Sequence, residues 1–354
     1  MLQGDYHMTE KKHSKRVYVR VLQVFGLLVI ALVITFAILY GNLILSAMSF
    51  SGIEDQQAYT AHIYGGMHFD DYLKEGGVRT ADELMDYISG KLTFGLGHLD
   101  VKDHGCSSYT AVTPEGDYLL CANIDQHLFN ERTPIIAAID GETNILGLAN
   151  AGNITKSSDG LDLKDRLLCS FLPYVLCNGM NGEGLAVGAA TVAGSVCRDT
   201  EKPDLYDSTI VYAVLEQASN IDGALALLAK YDNARDDGEM SHYMLADKDG
   251  NTAVVEWVGG EMSVCRPEDG KNYFVMTNFA LASMSGFGMD RYESYEKTLG
   301  ECGGVLSEKD ALHLLTENVI ESDKMWSVVF NLNKGTALVC FRGDDSKTYS
   351  YQIG

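Results

Sequence analysis

The longest hydrophobic pattern in the chain lies near its start. No charge occurs from Val21 to Ile53, 33 residues, and the core of the run reads Val24-Phe-Gly-Leu-Leu-Val-Ile-Ala-Leu-Val-Ile-Thr-Phe-Ala-Ile-Leu-Tyr40. At ~1.5 Å rise per residue a helix from Val24 to Leu45 crosses ~30 Å of hydrocarbon. A cleaved signal peptide is the alternative. Against it, the apolar region is unusually long and Ser46-Ala47-Met48 is a poor small-x-small cleavage site. Further on, Thr80-Ala-Asp-Glu83 reads as a capping box opening a helix through about Ser89. After Gly105 the periodicity shortens to that of strands. Ser107–Val112 and Tyr118–Ile124 flank the turn Pro114–Asp117 and read as a hairpin. Leu185–Ala190 reads as an apolar strand behind the turn cluster Asn178–Gly184. Ser208–Gln217 and Asp222–Lys230 have helical spacing. Tyr243–Asp247 and Thr252–Trp257 form a second hairpin and Tyr273–Thr277 a strand. Arg291–Leu299 and Glu308–Val319 are helices, followed by a last hairpin of Trp326–Leu332 and Thr336–Arg342. Antiparallel hairpins with helices in pairs between them predict an α+β fold with helices covering sheets.

Charge orients the apolar run. Residues 1–20 hold Lys11, Lys12, Lys15, Arg16 and Arg20 against Asp5 and Glu10. That tail carries +3, which leaves −25 for the rest of a 354-residue chain whose net charge is −22. The positive-inside rule then predicts a cytoplasmic basic tail over 1–20, a signal anchor over 21–50, and everything after it outside the cell membrane. The acidic remainder argues against a nucleic-acid partner, which wants basic surface. A hydrophobic content of 46% excludes general disorder. The eight cysteines contain no C-x-x-C pair, and no His pair sits at zinc-finger spacing, so no metal is implied.

Cys106 is the first candidate for chemistry. It follows Gly105, heads a strand, and precedes Ser107 and Ser108. Asp125 lies 19 residues on, at the end of the second strand of the same hairpin, so both residues can meet at one hairpin end. Gly179–Val187 and Val275–Asn278 add polar groups at strand ends. Cys106 with Asn123-Ile-Asp125, then Gly179-Met-Asn-Gly-Glu-Gly-Leu-Ala-Val187, His242-Tyr-Met-Leu-Ala-Asp-Lys-Asp-Gly250 through Val255-Glu256, Met276-Thr-Asn278 and Asp290-Arg291-Tyr292, occur in a recognisable order. In these motifs the chain resembles the choloylglycine hydrolase superfamily of linear-amide C–N hydrolases. Its relatives include bile salt hydrolases, penicillin V acylases, isopenicillin-N acyltransferases and the acid ceramidase group. The resemblance covers about residues 106–354.

What the resemblance implies is specific. The fold would be a four-layer αββα N-terminal-nucleophile hydrolase sandwich over 106–354, preceded by one transmembrane helix. The chain would cut itself between Gly105 and Cys106, leaving 51–105 as a prosegment or small subunit. Cys106 resembles the nucleophile and base, and Asp125 the carboxylate that holds the new α-amine. Asn278 resembles the side-chain donor of the oxyanion hole, and Arg291 the cation beside the nucleophile. Thr191 and Asn181 would give backbone support there, and His242 would be structural. A thiol is only about 3% ionised at pH 7, whereas a free α-amine is roughly a tenth or more neutral, so the cut supplies a base.

Two departures stand out. Bile salt hydrolases carry Arg where this chain has Ala122, and Asn where it has Thr191. The isopenicillin-N acyltransferase group also lacks that Arg. The implied substrate is a small-molecule N-acyl amide, with no cofactor. Hydrolysis is the leading reading; acyl transfer to an amine and an inactive binding module of the same fold are the alternatives. Residues 126–156 and 280–289 are expected as pocket walls. Met284, Phe287 and Met289 suit either an apolar acyl group or an ordinary core. Oligomeric state and disulfide pairing are left open.

Overall fold

The computed structural model describes residues 2–53, 57–90, 105–126, 133–155, 160–193, 199–235, 239–284, 286–320 and 324–353, with side chains of 2–17, 193 and 239 excepted. Among these, two sheets carry the fold. The larger has nine strands, in spatial order β1 (Ser51–Ile53), β2 (Ala58–Ile63), β5 (Pro134–Ile139), β6 (Ile145–Asn150), β7 (Asn178–Asn181), β8 (Leu185–Ala193), β11 (Glu239–Asp247), β12 (Thr252–Val258) and β13 (Glu261–Cys265). All its neighbours are antiparallel except β2 and β5. The smaller has six, in order β14 (Val275–Met276), β3 (Ser107–Val112), β4 (Tyr118–Asp125), β15 (Lys324–Asn331), β16 (Thr336–Phe341) and β17 (Tyr349–Gln352). A short parallel pair, β9 (Asp204–Tyr206) with β10 (Asp232–Ala234), lies apart.

Three apolar clusters show how the layers stack. Leu120, Ala122, Ile124, Val328 and Phe330 of the six-stranded sheet meet Leu146, Met180, Ala186, Ala190 and Met244 of the nine-stranded one. The outer face of the nine-stranded sheet is covered by α2 (Phe69–Lys74), α3 (Ala81–Ile88), α4 (Leu163–Cys169), α5 (Ile210–Gln217) and α6 (Ile221–Leu228). The outer face of the six-stranded sheet is covered by α7 (Met289–Glu301) and α8 (Glu308–Thr316). Helices, sheet, sheet, helices is the four-layer αββα order expected from the sequence. Sheets buried on both faces account for strands such as β4, whose residues 119–125 are all buried.

The apolar run forms the end of one helix, α1 (Leu2–Ser49). Its large apolar side chains from Tyr18 to Leu39 are mostly exposed. Its last turns behave differently. Leu43, Ala47 and Phe50 are buried in the outer core beside β2. The Ser46 hydroxyl accepts the Tyr64 N–H at 2.9 Å, and the Ser49 hydroxyl accepts the His62 N–H at 2.8 Å and donates to the His62 carbonyl at 2.9 Å. Two hydroxyls thus stitch the helix end to the backbone around β2 without a linker.

Several sequence expectations are refined. The Thr80 capping box is present and opens α3. Within 51–105, the stretch expected as a prosegment or small subunit, β1 and β2 join the large sheet and Tyr59, Ile63, Phe69, Tyr72, Leu84 and Ile88 enter its outer core. Much of 126–156, expected as pocket wall, is instead β5 and β6. Each is a six-residue run with hydrophobic residues on both faces, so neither shows the alternation that marks a half-exposed strand. The strand expected over Tyr273–Thr277 shrinks to Val275–Met276, and the Thr277 carbonyl is taken by a histidine side chain from the other sheet. Lys102, Asp103, His104 and Cys197 lie outside the described residues. The seven cysteines that are described are free thiols.

Candidate active site

The β3–β4 register pairs Ser107 with Asn123, which sets Cys106 opposite Ile124 and Gly105 opposite Asp125. The Gly105 N–H donates to the Asp125 carbonyl at 2.5 Å. The hairpin therefore brings Cys106 and Asp125 to one end, as the 19-residue spacing suggested. Both are buried. A Cβ on Gly105 would run into Ile320 Cδ1, so a side chain immediately before the cysteine requires Ile320 to move.

Arg291 enters from the first turn of α7, and two features aim it. Gly288 caps the helix at φ +86°, and a Cβ there would stand 2.9 Å from Arg291 Nη2. Tyr295, one turn on, places its hydroxyl 3.0 Å from Ser107 Oγ and accepts from Asn123 Nδ2 at 3.2 Å. The helix is thereby keyed to the residue after Cys106. Arg291 Nη1 donates to the Gly105 carbonyl at 2.9 Å and to the Cys106 carbonyl at 3.4 Å, and stands 3.6 Å from Asp125 Oδ2. Its Nη2 donates to Asn278 Oδ1 at 2.5 Å. Asn278 Nδ2 in turn donates to the Thr191 carbonyl at 2.9 Å, which bridges the two sheets across the site.

The electrostatics keep Cys106 protonated. Burial pushes the Cys106 thiol well above its ordinary pKa, and the nearby Cys177 and Asp125 push the same way. The Asp125 backbone N–H and the Arg291 guanidinium pull it down and do not prevail. Cys177, in the same inter-sheet cluster, is itself raised to about 12 by burial. Within the continuous chain Cys106 is a neutral thiol whose nitrogen is in a peptide bond. Beside it a cavity of about 30 Å³ is lined by Ile124, Cys177, Ala190, Thr191, Ser241 and Tyr243 among others. That is room for one or two waters, not for a substrate.

Cys106, Asp125, Asn278, Arg291 and Thr191 thus meet at one place, Thr191 through its carbonyl. Asn181 does not join them. It sits at the far end of β7, where its amide donates to the Leu215 and Ala218 carbonyls and accepts from Glu183 and Leu185, bracing a turn against α5. It was drawn into the reading because it shares a motif with the strand that leads to Thr191; strand direction carries it away. Ala122 packs in the apolar layer between the sheets, leaving Arg291 as the cation in contact with the Gly105–Cys106 backbone. Met284 and Phe287 are exposed rather than core, and the Phe287 ring lies 5.6 Å from the Arg291 guanidinium. Met289 is half-buried against the inter-sheet cluster. Cys177 and Glu256 are neighbours of the site that the sequence reading left without a role; one precedes the glycine-rich motif, the other closes the Val255-Glu256 motif.

Known proteins can now be set beside this geometry. A family model described as acyl-coenzyme A:6-aminopenicillanic acid acyl-transferase matches residues 176–342. A solved variant of conjugated bile acid hydrolase from Clostridium perfringens has a TM-score of 0.50 at 15% identity, covering 70% of this chain and 92% of that one. The choloylglycine hydrolase resemblance holds. Two further solved structures are only loosely alike. Penicillin V acylase from Agrobacterium tumefaciens has a TM-score of 0.43 at 13% identity, covering 67% of this chain and 83% of its own. An N-acylethanolamine-hydrolyzing acid amidase ortholog from Caenorhabditis elegans has 0.46 at 17%, covering 64% and 93%. No curated protein sequence matches. The chain is thus related to linear-amide hydrolases and acyltransferases of the N-terminal-nucleophile fold.

Proposed function

We propose that this protein is a membrane-anchored amidohydrolase that activates itself by cutting Gly105–Cys106 and then hydrolyses a linear N-acyl amide through a Cys106 thioester. The observation that carries the reading is the Arg291 donor on the Gly105 carbonyl, with the Cys106 side chain on the other side of the same peptide bond. Sγ adds to the Gly105 carbonyl carbon while Arg291 stabilises the developing oxyanion. The C–N bond breaks, the nitrogen keeps the thiol's proton, and Gly105 is left as a thioester on Sγ. Water splits that thioester, giving a Gly105 carboxylate, the free thiol and a free α-amine beside Asp125. The amine is the base that the buried thiol lacks in the uncut chain. Removal of Gly105 from its place against Cys106 also opens room that the small cavity does not offer.

In turnover the same groups are reused. The amine takes the thiol proton, Sγ attacks the amide, Asn278 and Arg291 face the oxyanion, the amine product leaves, and water hydrolyses the acyl-enzyme. Residues 51–90 make strands and core contacts, so we expect 1–105 to stay bound as an anchored small subunit rather than a discarded prosegment. Burial of Ala47 supports retention of the anchor, since a signal-peptidase cut after Ala47 would take Leu43 and the Ser46 bond out of the core. The basic tail supports a site outside the cell membrane.

Acyl transfer is the second reading, favoured by the acyl-transferase family match over residues 176–342. The test is intact mass and N-terminal sequencing of the full chain in detergent beside Cys106→Ala. A second chain beginning at Cys106, in wild type only and co-eluting with the anchor piece, is expected. A wild-type chain that stays uncut and takes no acyl group from p-nitrophenyl acetate on Cys106 would sink the proposal. Adding an amine during deacylation separates the two readings, because a transferase forms the new amide in preference to the acid.

A further inference from the structure

The motifs that contain His242 and Glu256 carry no role in the chemistry above, yet both residues are buried where the two sheets approach the site. The β11–β12 register, Tyr243 opposite Val255, sets His242 opposite Glu256. Their side chains reach the segment after β14. His242 Nε2 lies 2.6 Å from the Thr277 carbonyl, which only accepts, so this nitrogen carries a proton. His242 Nδ1 faces Glu256 Oε2 at 3.5 Å. Glu256 Oε2 accepts the Leu281 N–H and Oε1 the Ala282 N–H, each at 3.0 Å. The Cys265 thiol also donates to Oε1, at 3.7 Å.

These bonds close on either side of one residue. Thr277 precedes Asn278; Leu281 and Ala282 lie three and four residues after it. The β14 ladder ends at Met276, so the backbone from Thr277 onward is held by side chains of the opposite sheet. We infer that His242 and Glu256 are positioning residues for Asn278, holding its amide at the spot where the oxyanion forms while Arg291 and Thr191 fix its rotation. The inference rests on the hydrolase reading and assigns two residues to it. A donor at a forming oxyanion is effective only when placed in advance, and two N–H groups on one carboxylate plus a carbonyl on the imidazole leave the 277–282 backbone little freedom.

An ordinary core pair would be needed for folding alone, and the test separates the two roles by chemistry at one thiol. Acylation of Cys106 by p-nitrophenyl acetate passes through a tetrahedral oxyanion. Alkylation of the same thiol by iodoacetamide does not. In the cut, full-length enzyme in detergent, His242→Leu should slow acylation about 10–10²-fold, within the ~10²–10³-fold effect of deleting an oxyanion donor. Alkylation should change less than about twofold on that reasoning. His242→Gln, which can return an amide N–H to the Thr277 carbonyl, should restore most of the acylation rate. Glu256→Gln, which keeps shape and loses one acceptor, should fall between them and serves if His242→Leu does not fold. Equal loss of both reactions, or acylation unchanged in every variant, overturns the inference while leaving the hydrolase intact. A wild-type enzyme alkylated but never acylated at Cys106 removes the hydrolase reading and this inference together.

Discussion

Among the described residues are two buried arginine–aspartate pairs, and they are built in opposite ways. At Arg235–Asp207, with Nη1 3.5 Å from Oδ2, the acid is the hub. Asp207 accepts from Asn233 Nδ2, the Ser241 N–H and hydroxyl, and the Tyr243 hydroxyl, at 2.7–3.2 Å. At Arg291–Asp125, with Nη1 3.6 Å from Oδ2, the cation is the hub. It reaches two main-chain carbonyls and an amide oxygen. The first cluster closes on neutral donors and ties the turn after β9 to β10 and β11. The second spends its donors along the Gly105–Cys106 peptide. Burial and pairing are alike in both, so neither marks a site. What differs is which partner gathers the remaining hydrogen bonds: the acid in the first pair, and in the second the cation, two of whose hydrogen bonds end on the Gly105 and Cys106 carbonyls.

The largest effect that sharpens this contrast is expected from Arg291→Gln. Loss of the charged donor on the Gly105 carbonyl should slow the cut ~10²–10³-fold, read by gel or mass time course, with a smaller change in the urea midpoint. Asp207→Ala should do the reverse. It strands Arg235 in the core and should cost ~3–5 kcal/mol of stability by urea titration, while molecules that remain folded cut at the wild-type rate. If Asp207→Ala abolished cutting in the folded fraction, the division between the pairs would fail.

Gly105→Ala comes next. The new methyl meets Ile320 and shifts the scissile carbonyl away from Arg291, so cutting should slow by up to about 10²-fold. Ile320→Ala in the same chain should recover much of it; no recovery would mean that something other than this contact makes Gly105 necessary. The smallest effect is a pH dependence. Burial alone would raise the Glu256 carboxyl, but the His242 bond and the Ala282 and Leu281 N–H groups outweigh it and hold the pKa low. A carboxyl depressed on folding stabilises above its unfolded value, ~4.3, and loses that contribution as pH falls through its folded value. The urea midpoint of Glu256→Gln should therefore trail wild type more at about pH 7 than below about pH 4. An equal gap at both would show that the charge contributes nothing.

Some of this was open to a reader of the residues. The β3–β4 hairpin follows from Ser107–Val112, a Pro-Glu-Gly-Asp turn and Tyr118–Ile124, and it alone carries Asp125 back to Cys106. The helices α7 and α8 appear from their spacing to within a few residues. Asn278 and Arg291 were reached through motif order, since nothing local says that a loop and a helix turn meet. The strands β5 and β6 escaped notice because burial on both faces erases alternation. Asn181 was misplaced because adjacency in a motif does not tell which end of a strand a residue occupies.

Local features were legible in the residues alone: the uncharged run long enough for a membrane, the capping box at Thr80 and the hairpin turn. Each depends on neighbours a few residues apart, where backbone conformation and hydrophobic period decide the outcome. Only the tertiary structure decided that Arg291 lies on the Gly105 carbonyl, that Asn278 is held from the other sheet by His242 and Glu256, and that the anchor's last turn belongs to the core. Those contacts join residues 13 to 186 positions apart, and their geometry is set by how two sheets and two helix layers share one interior.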